Sequence, residues 1–178
     1  MKKTRIFLIL TPLIIGILIY LMYRSKNLYY YRVMHSLNIS GHVEAARTIA
    51  KYYRKLFPTW AIYSLPDGLW LFSTGAAFLI NRSGYFFNLI WFTMIYLITT
   101  FVEILQGYFG GHGTKLGTYD RNDMYFFTVA YFLILIISIL LEFKNKNKSA
   151  YYIGIDTLLS NIKYSIIFII LGILPSML

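Results

Sequence analysis

The run IFLILTPLIIGILIYLMY, residues 6–23, decides the fold. Not one of its side chains is charged. As a helix rising ~1.5 Å per residue it covers most of a hydrocarbon core ~30 Å thick. Lys2, Lys3 and Arg5 precede it, and Arg24, Ser25 and Lys26 follow it. A cleaved secretory leader has a shorter apolar stretch and a small-residue processing site after it. Neither feature is present, so the segment reads as an uncleaved signal anchor, with a kink expected at Pro12.

Further apolar runs occupy residues 85–105, 124–141 and 162–178. The last has 17 residues, the minimum for a span, and contains Pro175. Residues 60–80 are also apolar but are interrupted by Pro66-Asp67-Gly68. Proline suits a first helical turn and an acid there faces the positive end of the helix dipole. The helix proper is therefore expected from Pro66 and reaches only about 22 Å. So short a segment thins the bilayer or begins below its surface in a polar recess. The fold expected is all-α, a polytopic transmembrane helical bundle of about five spans, in one membrane domain over residues 1–178. Its parts are an anchor helix (1–23), a basic amphipathic segment (24–59), a helical core (60–141), and a polar connector with a C-terminal helix (142–178).

Composition agrees. Of 178 residues, 58% are hydrophobic and only 13% charged, where soluble domains carry nearer a quarter. The absence of cysteine removes disulfides, thiolate metal sites and a cysteine nucleophile. The net charge of +10 comes without any nucleic-acid-binding module, so no nucleic-acid partner is expected. In a membrane chain such charge marks loop topology and contact with anionic headgroups.

Within residues 42–57, Val43, Ala46, Ile49, Ala50, Tyr53, Leu56 and Phe57 recur at helical spacing. Glu44, Arg47, Lys51, Arg54 and Lys55 fall between them. Ser40 is the expected N-cap and Pro58 the expected stop. Two readings stand: a helix on the membrane surface with Arg47, Lys51, Arg54 and Lys55 towards headgroups, or a solvated helix packed on the bundle's own loops.

Counting Lys and Arg by alternate loops, with the N-terminus inside, puts eight on that side and nine on the other. The first helix usually dominates, so a cytoplasmic N-terminus in the cell membrane is expected.

The acids are less evenly distributed. Asp67 opens the second apolar segment, Glu103 and Gln106 close the third, and Asp120 and Asp123 open the fourth, all on one face of the membrane. His35, His42 and His112 lie in loops of the same face. Asp67 could merely complement a dipole, and Asp120 with Asp123 could form a capping pair. Glu103 is different: it stands inside an apolar run, near a helix C-terminus that disfavours negative charge. Such a group should face the bundle interior. Gln106 shares its helix face, which Thr99 and Asn88 extend. Asp67, Glu103, Gln106, His112, Asp120 and Asp123 are the candidate ligand-binding residues. No metal site is expected, since no H-x-x-x-H or H-E-x-x-H pair occurs, and no cofactor is implied. No G-x-S-x-G frames any serine. Residues 110–115 lack the phosphate-loop spacing, although their amides and Lys115 suit a headgroup phosphate.

The order Asp67, then Glu103-Ile104-Leu105-Gln106, then Tyr119-Asp120-Arg121-Asn122-Asp123 resembles the VanZ-like family of small bacterial membrane proteins over roughly residues 60–141. Members often carry Lys and His after the first acid, where this chain has Gly68 and Leu71. They often carry Arg before the paired acids and Asn after them, where it has Gly117 and Phe127. The resemblance implies a cell-envelope setting and a link to glycopeptide resistance. The expected function is binding of a headgroup, glycan or cationic ligand at the outer face. Two alternatives stand beside it: an acid–base or metal-dependent enzyme acting on a lipid-linked substrate, and a structural membrane subunit.

Overall fold

The computed structural model describes residues 2–24, 29–80, 84–111, 117–143 and 155–176. These form helices α1 (Lys2–Tyr23), α2 (Tyr29–Ser36), α3 (Ser40–Tyr53), a 3-10 turn (Arg54–Leu56), α4 (Thr59–Tyr63), α5 (Leu65–Leu79), α6 (Tyr85–Phe109), α7 (Arg121–Phe143) and α8 (Ile155–Ser176). No strand occurs among the described residues. The turn expected at residues 81–83, the connector at 144–148, and His112 with Lys115 lie outside them.

Among the described residues four helices, α1, α6, α7 and α8, are long and apolar enough to cross a membrane. Their outward faces carry exposed apolar side chains, including Phe7, Leu10 and Ile14 on α1, Ile90 and Met94 on α6, Ile136 on α7 and Ile166 on α8. An apolar exterior of that extent suits lipid rather than water. The chain is a multi-pass membrane protein. The C-terminal helix begins at Ile155, seven residues before the expected 162, which gives it 22 residues in place of 17.

The segment expected as the second span behaves differently. Residues 60–80 break at Ser64 into the five-residue α4 and the 15-residue α5. Helix α5 is not among the four long helices; it is the hub of the bundle, packed by α1, α6, α7 and α8. Pro66, Gly68, Leu71 and everything from Ser73 to Leu79 on it is buried. A helix enclosed by protein need not match the bilayer thickness, which is why 15 residues suffice here. Small residues allow the close approach. A Cβ on Gly68 would stand 2.9 Å from the Phe126 Cβ of α7, and one on Gly75 would stand 2.6 Å from Phe92 of α6 and 2.7 Å from Ile134 of α7. Leu71, Phe78, Leu79, Ile80, Phe92, Phe127 and Ile134 form the core around this contact.

Polar groups tie the outer helices. The stacked rings of Tyr96 and Tyr131, 4.4 Å apart, join α6 to α7, and Thr93 and Thr128 bond the two tyrosine hydroxyls. Fully buried Asn161 of α8 donates to Asn88 Oδ1 of α6 at 2.9 Å. One turn further along α8, Trp91 donates to Ser165 Oγ at 2.8 Å.

The amphipathic segment folds as α3 and the 3-10 turn, and the chain extends at Phe57 before Pro58. Ser40 is not its N-cap: the position before the helix is Ile39, and no side chain caps it. Arg47 does not point towards headgroups. It is buried, with Nη1 donating to Leu21 O at 2.7 Å and Nη2 donating to Arg24 O. Its guanidinium thus closes the carbonyl end of α1, where backbone acceptors lack helical partners. Arg54 also reaches back, to Tyr23 O and to the Tyr63 hydroxyl. Lys51 and Lys55 remain exposed beside exposed Ile49, Tyr52 and Leu56.

Candidate functional site

One end of the bundle collects the C-terminus of α1, the N-terminus of α5, the C-terminus of α6 and the N-terminus of α7. Asp67 sits in the first turn of α5. Its Oδ1 accepts a hydrogen bond from the Tyr20 hydroxyl at 3.1 Å, and its Oδ2 lies 4.0 Å from Arg24 Nη2. The same Arg24 nitrogen donates to Tyr20 Oη at 3.2 Å and to Tyr63 O at 2.9 Å. The guanidinium also covers the Tyr20 ring at 4.6 Å, a cation–π contact that helps hold it away from water. Tyr20 lies in the last turn of α1 and Arg24 one residue past its end, its N–H bonded to Tyr20 O at 3.1 Å, so the end of that helix delivers a hydroxyl and a cation together.

Glu103 faces inward from α6 and is buried, 8% exposed. Its Oε2 has no hydrogen-bond partner among the described residues, and neither has Asp123 Oδ1. Buried polar atoms of native proteins are seldom left so. Asp120 has a different role. It stands one residue before α7, and its Oδ1 accepts the Asn122 backbone N–H at 2.9 Å and the Asn122 side-chain amide at 3.0 Å. Its Oδ2 accepts from Ser64 at 3.3 Å. Asp120 therefore caps α7 and ties it to the α4–α5 junction, which frees Asp123 to face inward.

Asp67, Glu103, Gln106 and Asp123, with Tyr20 and Arg24, line the polar end of a cavity of about 600 Å³. Its other end is apolar, walled by Leu13 and Ile17 of α1, Ile95 and Ile98 of α6, and Phe168 and Ile169 of α8. The volume is within the range of small-molecule sites. It lies between helices that the Asn88–Asn161 and Trp91–Ser165 bonds join farther from the polar end. Trp70 of α5 forms part of the wall and donates to Phe168 O at 2.8 Å, which fixes α8 against the hub.

The structure thus brings together four of the candidate residues, Asp67, Glu103, Gln106 and Asp123. It places Asp120 in the supporting cap. His112 lies outside the described residues. His35 and His42 are exposed on α2 and α3 and do not line the cavity. Thr99 lines it as the helix face predicts, but Asn88 instead pairs with α8. Among the described residues no three His, Cys, Asp or Glu side chains group as metal ligands do.

Sequence reasoning missed Tyr20 and Arg24. Their signal was available: a tyrosine and an arginine at i and i+4 where the anchor ends, on the side where the acids gather. Two glycines at this end of the bundle have local reasons. Gly68 lies where α5 touches α7, with no room for a side chain. Gly117 adopts φ +86° and its carbonyl accepts the Gly111 N–H at 2.9 Å; an L side chain is strained there. Comparison of the chain with protein-family models, with curated proteins and with solved structures gives no match.

Proposed function

We propose that the chain is a VanZ-like integral membrane protein of the bacterial cell envelope whose cavity binds an amphiphile by its headgroup at the outer face. The observation that carries this reading is one cavity with two chemically distinct ends. Arg24, Asp67, Glu103, Gln106 and Asp123 stand at one end, and aliphatic and aromatic side chains of α1, α6 and α8 line the other. A wholly polar ligand would leave the apolar end wet, and a wholly apolar one would strand buried carboxylates. An amphiphile satisfies both.

In this reading the N-terminus is cytoplasmic and α5 counts as a short fifth crossing shielded by its neighbours. Exposed Lys51 and Lys55, flanked by Ile49, Tyr52 and Leu56, rest at the headgroup layer with their stems over apolar surface. The glycopeptide link that the VanZ resemblance suggests would then be a consequence of occupancy of the cavity.

Single cysteines test the placement, because the native chain has none. Gln106→Cys and Thr118→Cys should react with a membrane-impermeant thiol reagent in intact cells. Reaction only after permeabilisation would put the polar end in the cytoplasm and end the envelope reading.

A further inference from the structure

We infer that the cavity selects a zwitterionic amphiphile, one whose headgroup carries a primary ammonium and an anionic group a few bonds apart, as phosphoethanolamine does. This rests on the amphiphile reading above and adds the chemistry of the head.

Three buried polar atoms on residues lining the polar end have no hydrogen-bond partner among the described residues: Glu103 Oε2, Asp123 Oδ1 and Arg24 Nε. Two are acceptors on carboxylates and the third is a donor on a guanidinium. Leaving such atoms buried and unbonded costs free energy, more for charged groups than for neutral ones. A ligand that belongs there supplies what each lacks. The carboxylates require N–H or O–H donors, and a cation best offsets their charge. Arg24 Nε requires an acceptor, and a phosphate or carboxylate oxygen meets a guanidinium with charge-assisted bonds. Arg24 makes no hydrogen bond to Glu103 or Asp123 among the described residues. Its Nη2 is committed to Tyr20 Oη and Tyr63 O, beside Asp67.

The charges point the same way. Asp67 has Arg24 at 4.0 Å and the Tyr20 hydroxyl; the charge of Arg24 is also felt at Asp123, but neither Glu103 nor Asp123 has a cation within ion-pair distance among the described residues. An anionic amphiphile would satisfy Arg24 and add to the acidic excess. A purely cationic one would leave Arg24 Nε unbonded. A choline head presents charge without N–H donors and would leave the two carboxylate oxygens unbonded. A head with both an ammonium and an anion answers all three atoms with charge-assisted bonds and adds no net negative charge beside the carboxylates. Its chain would run between α1, α6 and α8 along Ile17, Ile95, Ile98 and Phe168.

The test uses the full chain in a neutral maltoside detergent, titrated with single-chain probes of equal tail length. The heads are phosphoethanolamine, phosphocholine, phosphoglycerol, a bare alkylammonium and an uncharged monoglyceride. Fluorescence of Trp70, which lines the cavity, reports binding, with Trp70→Phe as the control for the signal. The phosphoethanolamine probe should bind at least about tenfold more tightly than the other four, the worth of one charge-assisted hydrogen bond. Glu103→Gln and Asp123→Asn should each reduce that preference towards the glycerol probe. If any of the other four probes binds as tightly, the zwitterion inference is overturned while the amphiphile reading survives. If no probe binds, the amphiphile reading falls and this inference falls with it.

Discussion

Arg24 Nη2, just past the end of α1, lies 4.0 Å from Asp67 Oδ2 of α5, and the Tyr20 hydroxyl bridges them. This one contact joins the membrane anchor to the hub of the bundle at the end where the cavity becomes polar. At the opposite end of the same two helices Arg5 donates to Ala77 O of α5 at 2.9 Å. The two helices run antiparallel, and a basic side chain near each end of α1 serves the facing end of α5.

Removing the cation takes from Asp67 the one charge partner within ion-pair distance among the described residues, in a half-buried site. Arg24→Ala is expected to lower stability by about 1–3 kcal/mol, because the partner left behind carries most of the penalty. Asp67→Asn in the same chain should recover much of that loss. The thermal midpoint in detergent, measured for both single variants and the double variant, gives the coupling. Additive losses would mean that the two side chains do not interact.

Two basic residues on α3, four positions apart, should differ sharply. Arg47→Ala removes hydrogen bonds to Leu21 O and Arg24 O and should cost about 1.5–3 kcal/mol. Lys51→Ala, at an exposed position, should stay within about 0.5 kcal/mol of wild type. Thermal midpoints of the two variants check this; equal effects would mean that α3 does not seal the end of α1.

Gly68→Ala places a methyl group 2.9 Å from the Phe126 Cβ and 3.0 Å from its carbonyl oxygen. The backbone cannot yield as a flexible side chain would, so a loss of about 1–3 kcal/mol is expected. Gly41→Ala on α3 is the control, since a Cβ there meets nothing within 4 Å. It should leave stability unchanged or raise it by up to ~1 kcal/mol through helix propensity. Heat denaturation of both variants in the same detergent decides the comparison.

Asn161→Ala should loosen α8 from α6 by about 1 kcal/mol, the usual size of an interhelical hydrogen bond between membrane helices. A cysteine at Ile162, which is exposed on the next position of α8, gives the readout through its rate of reaction with a lipid-soluble maleimide. An unchanged rate and an unchanged thermal midpoint would remove the Asn88–Asn161 bond from the description of the bundle.

Much of this was legible in the sequence because membrane spans announce themselves by length and apolarity. The runs at 6–23, 85–105 and 124–141 became α1, α6 and α7 with their ends moved by only a few residues. Glu103 could be singled out because an acid within an apolar run has few reasons to be there, and alternating topology alone put Asp67, Gln106 and Asp123 at its end of the bundle. What the sequence hid depends on packing between distant segments. Hydropathy cannot say that α5 is enclosed, since a buried helix and a lipid-facing one are equally apolar. It cannot distinguish Arg47, bonded to α1, from exposed Lys51, because both count equally as loop charges. Arg24 was hidden for the same reason: a basic residue after an anchor reads as a topology marker until its distance to Asp67 is known. The early start of α8 at Ile155 was masked by the polar character of its first turns.

Mass spectrometry of the intact protein, released gently from detergent, tests most directly whether the cavity is a binding site. The wild-type chain should retain one amphiphile per molecule. Thr99→Trp, which fills the cavity from α6 at a residue lining it, should retain none, while Thr99→Ala should retain it as wild type does. If Thr99→Trp carries the same bound species in the same amount, the amphiphile does not occupy this cavity and the proposed function is wrong.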